Sequence, residues 1–357
     1  MLTLFYILLG ILIFGFLIAI HELGHFIAAK LSGVQVNEYS INMGPKLLQT
    51  QRGETLYTLR LLPIGGYCAM EGEDGESDNP RAFTNAKWWK RLIILVAGSL
   101  MNFVAGFLIM VVLTAVTTGG FYNLKIESFM EESILDEQGF QIGDEFYAVD
   151  GKRILVASDL DLLVDRHQNK TMDITVRRDG KLLTLEQVDM TRQEVVDADG
   201  TVSYKFGFIR GVDPATPFGV VRYAFLESVD FSRLVWFGLA DLIAGKVSFN
   251  EMGGPVQIVK VMTDSGTSAS TIGAGVANVF YLGAFIAVNL AVMNLLPIPA
   301  LDGGRVFLLL INTVYTAITK KKIDPKYEGY IHAGGMVLLL GLMAVIFIKD
   351  IVQIIHS

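Results

Sequence analysis

The stretch His21-Glu22-Leu23-Gly24-His25 places two imidazoles and a carboxylate at the end of a run, Met1–Ile20, that has no acidic, basic or histidine side chain. On a helix, residues four apart lie about 40° apart around the axis, so His21 and His25 share a face. Two imidazole nitrogens on one face can hold a zinc ion, and Glu22 beside them can take a proton from water at the metal. Histidine is scarce, with five in the chain, so the pattern rarely arises by chance. An unpartnered carboxylate in a membrane helix costs on the order of 3 kcal/mol. Packing alone does not account for these three residues, and metal chemistry does.

A catalytic zinc needs three protein ligands and an open position. The continuation FIAAKLSG offers none. An acidic residue close to an otherwise apolar span is Asp302, in NLAVMNLLPIPALDGGRV. Pro297 and Pro299 must interrupt a helix there, and a broken helix with a carboxylate at its end suits the lining of a site. A helix cap or an interfacial charge is the other reading of Asp302.

The elements that carry these residues are membrane spans. The chain has 357 residues, 52% apolar and only 18% charged, with a mean hydropathy of +0.47. Four spans are expected: Leu2 to Ile27, Leu92 to Thr118, a region within Ser265–Leu301 most apolar from Ala277 to Leu296, and Gly329 to Ile348. Each is long enough to cross a hydrocarbon core of roughly 30 Å. The first lacks a basic n-region and its apolar run is too long for a cleaved signal, so it reads as a retained span. Lys30, Lys87, Lys90 and Arg91 flank one loop, and Lys320, Lys321, Lys322 and Lys326 fill another. Both loops are therefore expected in the cytoplasm, with the termini and residues 120–265 outside. HELGH and LDGG then lie at similar depth, toward the cytoplasmic ends of their spans. The net charge of −7 says little about topology, and no basic cluster with interleaved aromatics suggests nucleic acid. The single cysteine, Cys68, excludes an intramolecular disulfide and a cysteine-based zinc site; its apolar and glycine neighbours suit a packed thiol.

Four regions follow. Residues 1–119 hold the first two spans and, between them, a β-hairpin over 34–70, with QRGE as its turn, ETLYTLRLL as a strand and LPIGGY as a candidate point of re-entry into the membrane. The acidic EGEDGESDNP reads as a solvated turn. Residues 120–212 read as a small β-rich domain with Asp150-Gly151 and Asp179-Gly180 turns and a helical spacing of Leu160, Leu163 and Val164. Residues 213–264 read as an amphipathic helical linker on the membrane surface, closed by EMGGPVQIVKV as a turn and a short apolar piece. Residues 265–357 hold the last two spans. His167 is expected at the surface, and His332 and His356 at or beyond a membrane interface.

HELGH in the first span, LDG in the third, and GPKLLQTQRGETLYTLRLLPIGGY between them resemble the site-2 protease family of intramembrane zinc metalloproteases. The likeness is to the bacterial branch with a PDZ domain inserted between the second and third spans, and it extends to MGGPVQIVK and MNLLPIPALDGGR. EESILDEQGFQIGDEFYAVDGKRI is similar to the PDZ signature, although Glu131 and Leu135 stand where the family often has Ala or Pro. The resemblance implies a multi-pass α-helical membrane protein with four transmembrane helices, a membrane-associated β-hairpin and one extracytoplasmic PDZ domain. It implies His21, His25 and Asp302 as zinc ligands and Glu22 as general base. It further implies that the hairpin holds an unwound substrate by strand addition. Asn294, eight residues before Asp302, matches an asparagine that handles substrate in the family, and Asn289 matches a second. A plain helix-bonding role suits Asn289 equally.

The implied partners are membrane lipid and the transmembrane segments of single-span proteins already trimmed outside, such as anti-sigma factors or signal-peptide remnants by analogy, and no nucleic acid. Two other classes compete. A metal transporter needs several polar residues across successive spans, and the second and fourth offer chiefly Asn102. A membrane-anchored PDZ scaffold without chemistry leaves HELGH unexplained.

Overall fold

A computed structural model describes residues 1–357 apart from 74, 76, 117–119, 132, 168–170, 197–201, 248–252, 322–324 and 357. In chain order the elements are α1 (Leu2–Ser32), β1 (Val36–Arg52), β2 (Thr55–Met70), a 3-10 turn at Phe83–Asn85, α2 (Trp88–Val116), β3 (Phe121–Phe129), β4 (Glu145–Val149), β5 (Lys152–Arg153), α3 (Ala157–Asp165), β6 (Thr171–Arg178), β7 (Lys181–Asp189), β8 (Gln193–Val196), β9 (Val202–Lys205), β10 (Phe208–Asp213), α4 (Pro217–Ile243), α5 (Pro255–Thr267), α6 (Ile272–Asn294), α7 (Asp302–Thr319) and α8 (Pro325–His356). Thr118, Lys322, Asp74, Glu76, Glu251 and Met252, which figure in the expectations above, lie outside the described residues, as does the side chain of His356. The chain forms two compact units, Met1–Met110 with Phe231–Ser357, and Val111–Asp230.

In the first unit, α1, α2, α6 and the Gly329–Gln353 part of α8 are long and apolar enough to cross a membrane. Helix α1 runs without a breaker until Gly33, whose left-handed φ of 80° lets its amide bond back to the Ala29 and Lys30 carbonyls, the usual way a helix ends at glycine. The chain turns at once into β1, which pairs antiparallel with β2 across the Gly53–Glu54 turn. The Glu38–Ile41 part of β1 is paired twice. Tyr39 faces Cys68 on one side and Tyr57 on the other, and Ser40 faces Tyr67 and Thr58. The start of β1 is therefore flanked by both halves of β2. The segment LPIGGY lies within β2, where the sequence had suggested re-entry. One apolar core joins Ala28 and Ala29 of α1, Val36 and Tyr39 of β1, Cys68 and Met70 of β2, Ile94 and Leu95 of α2, and Leu309 of α7. A second joins Tyr6, Ile13 and Leu17 of α1, Ala105 of α2, Met262 of α5 and Val279 and Ala287 of α6.

The Ser265–Leu301 region is not one interrupted helix. Helix α5 ends at Thr267, Thr271 caps α6 by accepting from the Ala274 amide, and α6 stops at Asn294. Pro297 cannot continue that helix and its ring disfavours a helical residue before it. Asp302 thus opens a new helix, α7, instead of closing the old one. The expected short apolar piece after the glycine pair is a helix of 13 residues, α5, and it crosses the expected boundary at 264/265. Its N-terminus is capped from a distance: the buried Asp350 of α8 accepts from the Gly254 amide at 3.0 Å and the Gln257 amide at 3.2 Å. The acidic stretch after β2 is not all solvated, because Glu73 forms an ion pair with Arg305 of α7.

In the second unit the strands form a sheet of order β10-β3-β4-β6-β7, with β5 off β4, and β8 pairs with β9 alone. Both Asp-Gly turns are present, Asp150 and Asp179 having φ of 46° and 50°. The spacing of Leu160, Leu163 and Val164 is that of α3, which buries all three. Asp144, itself buried, is gripped by Arg178 through Nε and Nη2, each at 2.7 Å. His167 is half-buried and its Nε2 stands at hydrogen-bonding distance, 2.8 Å, from Asp150 Oδ2.

Candidate metal centre

His21 and His25 lie one turn apart on α1, and Asp302 is the first residue of α7. Their ligand atoms converge. His21 Nε2 and His25 Nε2 are 3.1 Å apart, and Asp302 Oδ2 is 3.1 Å from the first and 3.3 Å from the second. Both histidines are buried.

Hydrogen bonds within the trio do not satisfy all of these atoms. His25 Nδ1 is 2.8 Å from the Ile94 carbonyl of α2 and must donate to it, which leaves Nε2 of a neutral ring as a bare acceptor. Asp302 Oδ2 is buried and has no hydrogen-bond partner among the described residues. Three lone-pair atoms facing one point repel unless a cation lies among them. Ligands of a four-coordinate zinc with bonds of about 2.0–2.2 Å stand about 3.3 Å apart, within a few tenths of an ångström of the three separations here. The donor set, two imidazoles and a carboxylate, suits zinc.

Two residues of α2 complete the surroundings. Asn102, fully buried, has its Nδ2 3.4 Å from His21 Nδ1, while its Oδ1 lacks a hydrogen-bond partner. With the amide turned over, Oδ1 accepts from His21 Nδ1–H, the tautomer that frees Nε2 for a metal. Gly98 leaves room for the pair: a methyl group there would sit 2.4 Å from His25 Nε2 and 2.7 Å from His21 Cε1. On α1, Gly24 allows α2 to approach, since a methyl group would stand 2.4 Å from the Ala97 carbonyl oxygen. Sequence reasoning weighed Asn102 only as a transporter feature and missed Gly98. The available signal was a lone asparagine one helical turn after a glycine in an otherwise apolar span.

Glu22 is half-buried on the side of the hairpin. A methyl group on Gly66 of β2 would stand 3.4 Å from Glu22 Cγ. His25, His21 and Asp302 stand around its carboxylate. Asn289 and Asn294 lie on α6, half-buried, Asn294 being its last residue. Neither side chain makes a hydrogen bond among the described residues. His332 is the fourth residue of the Gly329–Gln353 stretch of α8, and its Nδ1 accepts from the Ala300 amide at 3.1 Å.

A helical membrane core that gathers a HExxH pair and a distant aspartate is that of an intramembrane zinc metalloprotease. The chain belongs to Peptidase family M50, the site-2 proteases, whose family model matches residues 9–342. It is 35% identical to a Clostridium perfringens protein named as a zinc metalloprotease, over 348 residues covering 97% of this chain and 98% of the relative. A Clostridium acetobutylicum protein with the same description is 36% identical over 349 residues, 98% of each chain. The Regulator of sigma-W protease RasP of Bacillus subtilis is 27% identical over 422 aligned positions, which cover 96% of this chain and 97% of that one. The protein is therefore a zinc-dependent protease of the membrane.

Proposed function

We propose that His21, His25 and Asp302 hold the catalytic zinc and that Glu22 is the general base of an endopeptidase that cuts within transmembrane segments. The observation that carries this reading is the meeting of three ligand atoms, Asp302 Oδ2 among them without a hydrogen-bond partner, beside a carboxylate at the edge of a β-sheet. When bound, zinc supplies a Lewis acid for the scissile carbonyl and lowers the pKa of water to about 7. Glu22 takes the proton of the attacking water and passes it to the leaving amine. Asn102 and the Ile94 carbonyl hold the two imidazoles in the tautomers that present Nε2.

A peptide bond inside a transmembrane helix is shielded by its own hydrogen bonds and must be unwound. Residues Gly66–Met70 pair with β1 on one side, and among the described residues no strand pairs on their other side. An extended substrate added to that edge regains backbone hydrogen bonds next to Glu22. Asn294, at the end of α6, and Asn289 are the further candidates for contact with it.

The β-rich unit supports a PDZ reading: its edge strand β10 lies at one end of the sheet and α3 is its one helix of nine residues among the described elements. The charged loops support an orientation with the site toward the cytoplasm and the β-rich unit outside. Single-span proteins already trimmed outside are the substrates this arrangement suits. The name of the Bacillus subtilis relative, a regulator of sigma-W, favours membrane-bound anti-sigma factors among them.

The test is Glu22→Gln in the full chain. The variant should keep its zinc and leave a transmembrane reporter uncut; unchanged cleavage removes Glu22 from the mechanism. A scaffold or a transporter would be indifferent to the substitution in pull-down or metal-uptake assays.

A further inference from the structure

The loop that delivers Asp302 is compressed from two sides. Toward α7, a methyl group on Gly303 would stand 2.3 Å from the Leu295 and Leu296 carbonyl oxygens, and one on Gly304 would stand 2.3 Å from the Ile298 carbonyl oxygen. Toward α8, a methyl group on Gly335 would stand 2.4 Å from Pro299 Cβ. Between these contacts the backbone is strained, because Ala300 has a φ of 77°, a left-handed value that a residue with a Cβ rarely adopts.

Backbone hydrogen bonding shows what holds it there. Pro297 and Pro299 have no N–H to give. The Ile298 amide bonds within the loop, to the Leu296 carbonyl at 2.7 Å. The Ala300 amide instead donates across to His332 Nδ1 on α8, at 3.1 Å. That contact requires an imidazole with its proton on Nε2. It is made one turn before Gly335, on the face that already touches Pro299.

We propose that His332 is a positioning residue for the metal centre. By holding the Ala300 peptide in its strained conformation, the fourth membrane helix fixes the direction from which Asp302 enters the site two residues later. Without the acceptor on α8, Ala300 relaxes toward ordinary backbone geometry and Asp302 Oδ2 leaves its place opposite the two histidines. Helix α8 thereby acts on the reaction without contributing an atom to it. This rests on Asp302 being a zinc ligand.

The experiment uses the full-length protein in detergent and compares His332→Leu, His332→Asn, and His332→Leu combined with Ala300→Gly. Each is measured for zinc retention against a competing chelator and for kcat and KM on a transmembrane substrate. Leucine fills the space without an acceptor, asparagine returns an oxygen near the position of Nδ1, and glycine accepts the left-handed conformation without strain. His332→Leu should lose zinc at least tenfold more readily and show a kcat about tenfold lower with KM little changed, the range expected when support for a ligand is removed. Both His332→Asn and the double variant should recover most of each loss. A His332→Leu protein with native zinc retention and kcat overturns the inference. So does a loss that neither asparagine nor Ala300→Gly repairs, which would mark a packing role. Asp302→Ala separates the two levels: if it keeps zinc and cleaves, the ligand assignment itself fails, whereas a zinc-free Asp302→Ala beside a native His332→Leu removes only the role of His332.

Discussion

At Gly98 a single hydrogen atom in place of a methyl group decides whether two histidines and an aspartate can meet. A Cβ there would stand 2.4 Å from His25 Nε2, far inside van der Waals contact, and the neighbouring atoms of α1 cannot withdraw without moving His21 as well. Gly98→Ala should therefore abolish stable zinc binding while leaving the helical content intact, as seen by metal analysis alongside circular dichroism. A variant with full zinc occupancy would show that the imidazoles have another arrangement. Asn102 acts more gently. Replacing it with leucine removes the partner of His21 Nδ1 but fills the same space, so the expected effect is about 10–100-fold weaker zinc binding. Chelator competition measures it, and Asn102→Asp should recover part of the loss because an acceptor remains.

At the scale of elements, two long-range ties hold short pieces of backbone in place. Asp350 of α8 accepts from two first-turn amides of α5, and α5 in turn supplies Met262 to the core around α1. Asp350→Ala should cost about 1–3 kcal/mol, the range for a buried cap with a charged acceptor, read as a lower thermal midpoint in detergent; Asp350→Asn should cost less. The hairpin turn is tied by Glu54, which Arg81 grips at 2.6 and 2.8 Å and Lys30 at 2.7 Å. Hydrogen bonds from Arg81 and then Lys30 hold the Glu54 carboxyl down at about 2, from an ordinary 4.5. A depressed folded-state pKa means that the unfolded chain binds more protons between those values. The tie is therefore complete above about pH 4.5 and is lost as the pH falls toward about 2. Since Arg81 is nearly half exposed, solvent screens the pair and its contribution to stability is small. Hydrogen exchange in β1 should rise over that window, and Glu54→Gln should remove this part of the dependence. These ties also mark what was legible in the sequence. Period and turn chemistry sufficed for α1, for the Asp-Gly turns and for α3, because each is set by residues close in the chain. Helix α5, the start of α7 at Asp302, and the burial of Glu73 against Arg305 were not legible. Each depends on a partner far along the chain, which no local pattern encodes. The ligand trio was proposed by elimination and resemblance, but its support from Asn102, some eighty residues from His21, needed coordinates.

For the whole molecule, the disposition of charge predicts an orientation that one reagent can test. Lys87 immediately precedes α2, Lys90 and Arg91 lie in its first turn, and Lys320 and Lys321 follow α7. Charges of this kind remain on the cytoplasmic side of a membrane, so the β-rich Val111–Asp230 unit is expected on the other. The chain is well suited to the test because its only cysteine, Cys68, is buried. Burial, and then the nearby Glu22 carboxylate, raise its thiol above the usual range, so little reactive thiolate is present at neutral pH. Single cysteines can therefore be added without removing it. Lys181→Cys, at an exposed position in β7, and Lys321→Cys, at an exposed position after α7, should report opposite faces. A membrane-impermeant maleimide applied to intact cells should label Lys181→Cys, spare Lys321→Cys and leave the unsubstituted chain unmarked, and permeabilised cells should show both variants labelled. The reverse pattern would place the β-rich unit in the cytoplasm. It would also turn the HELGH end of α1 toward the outside, so that the water consumed at Glu22 would enter from there.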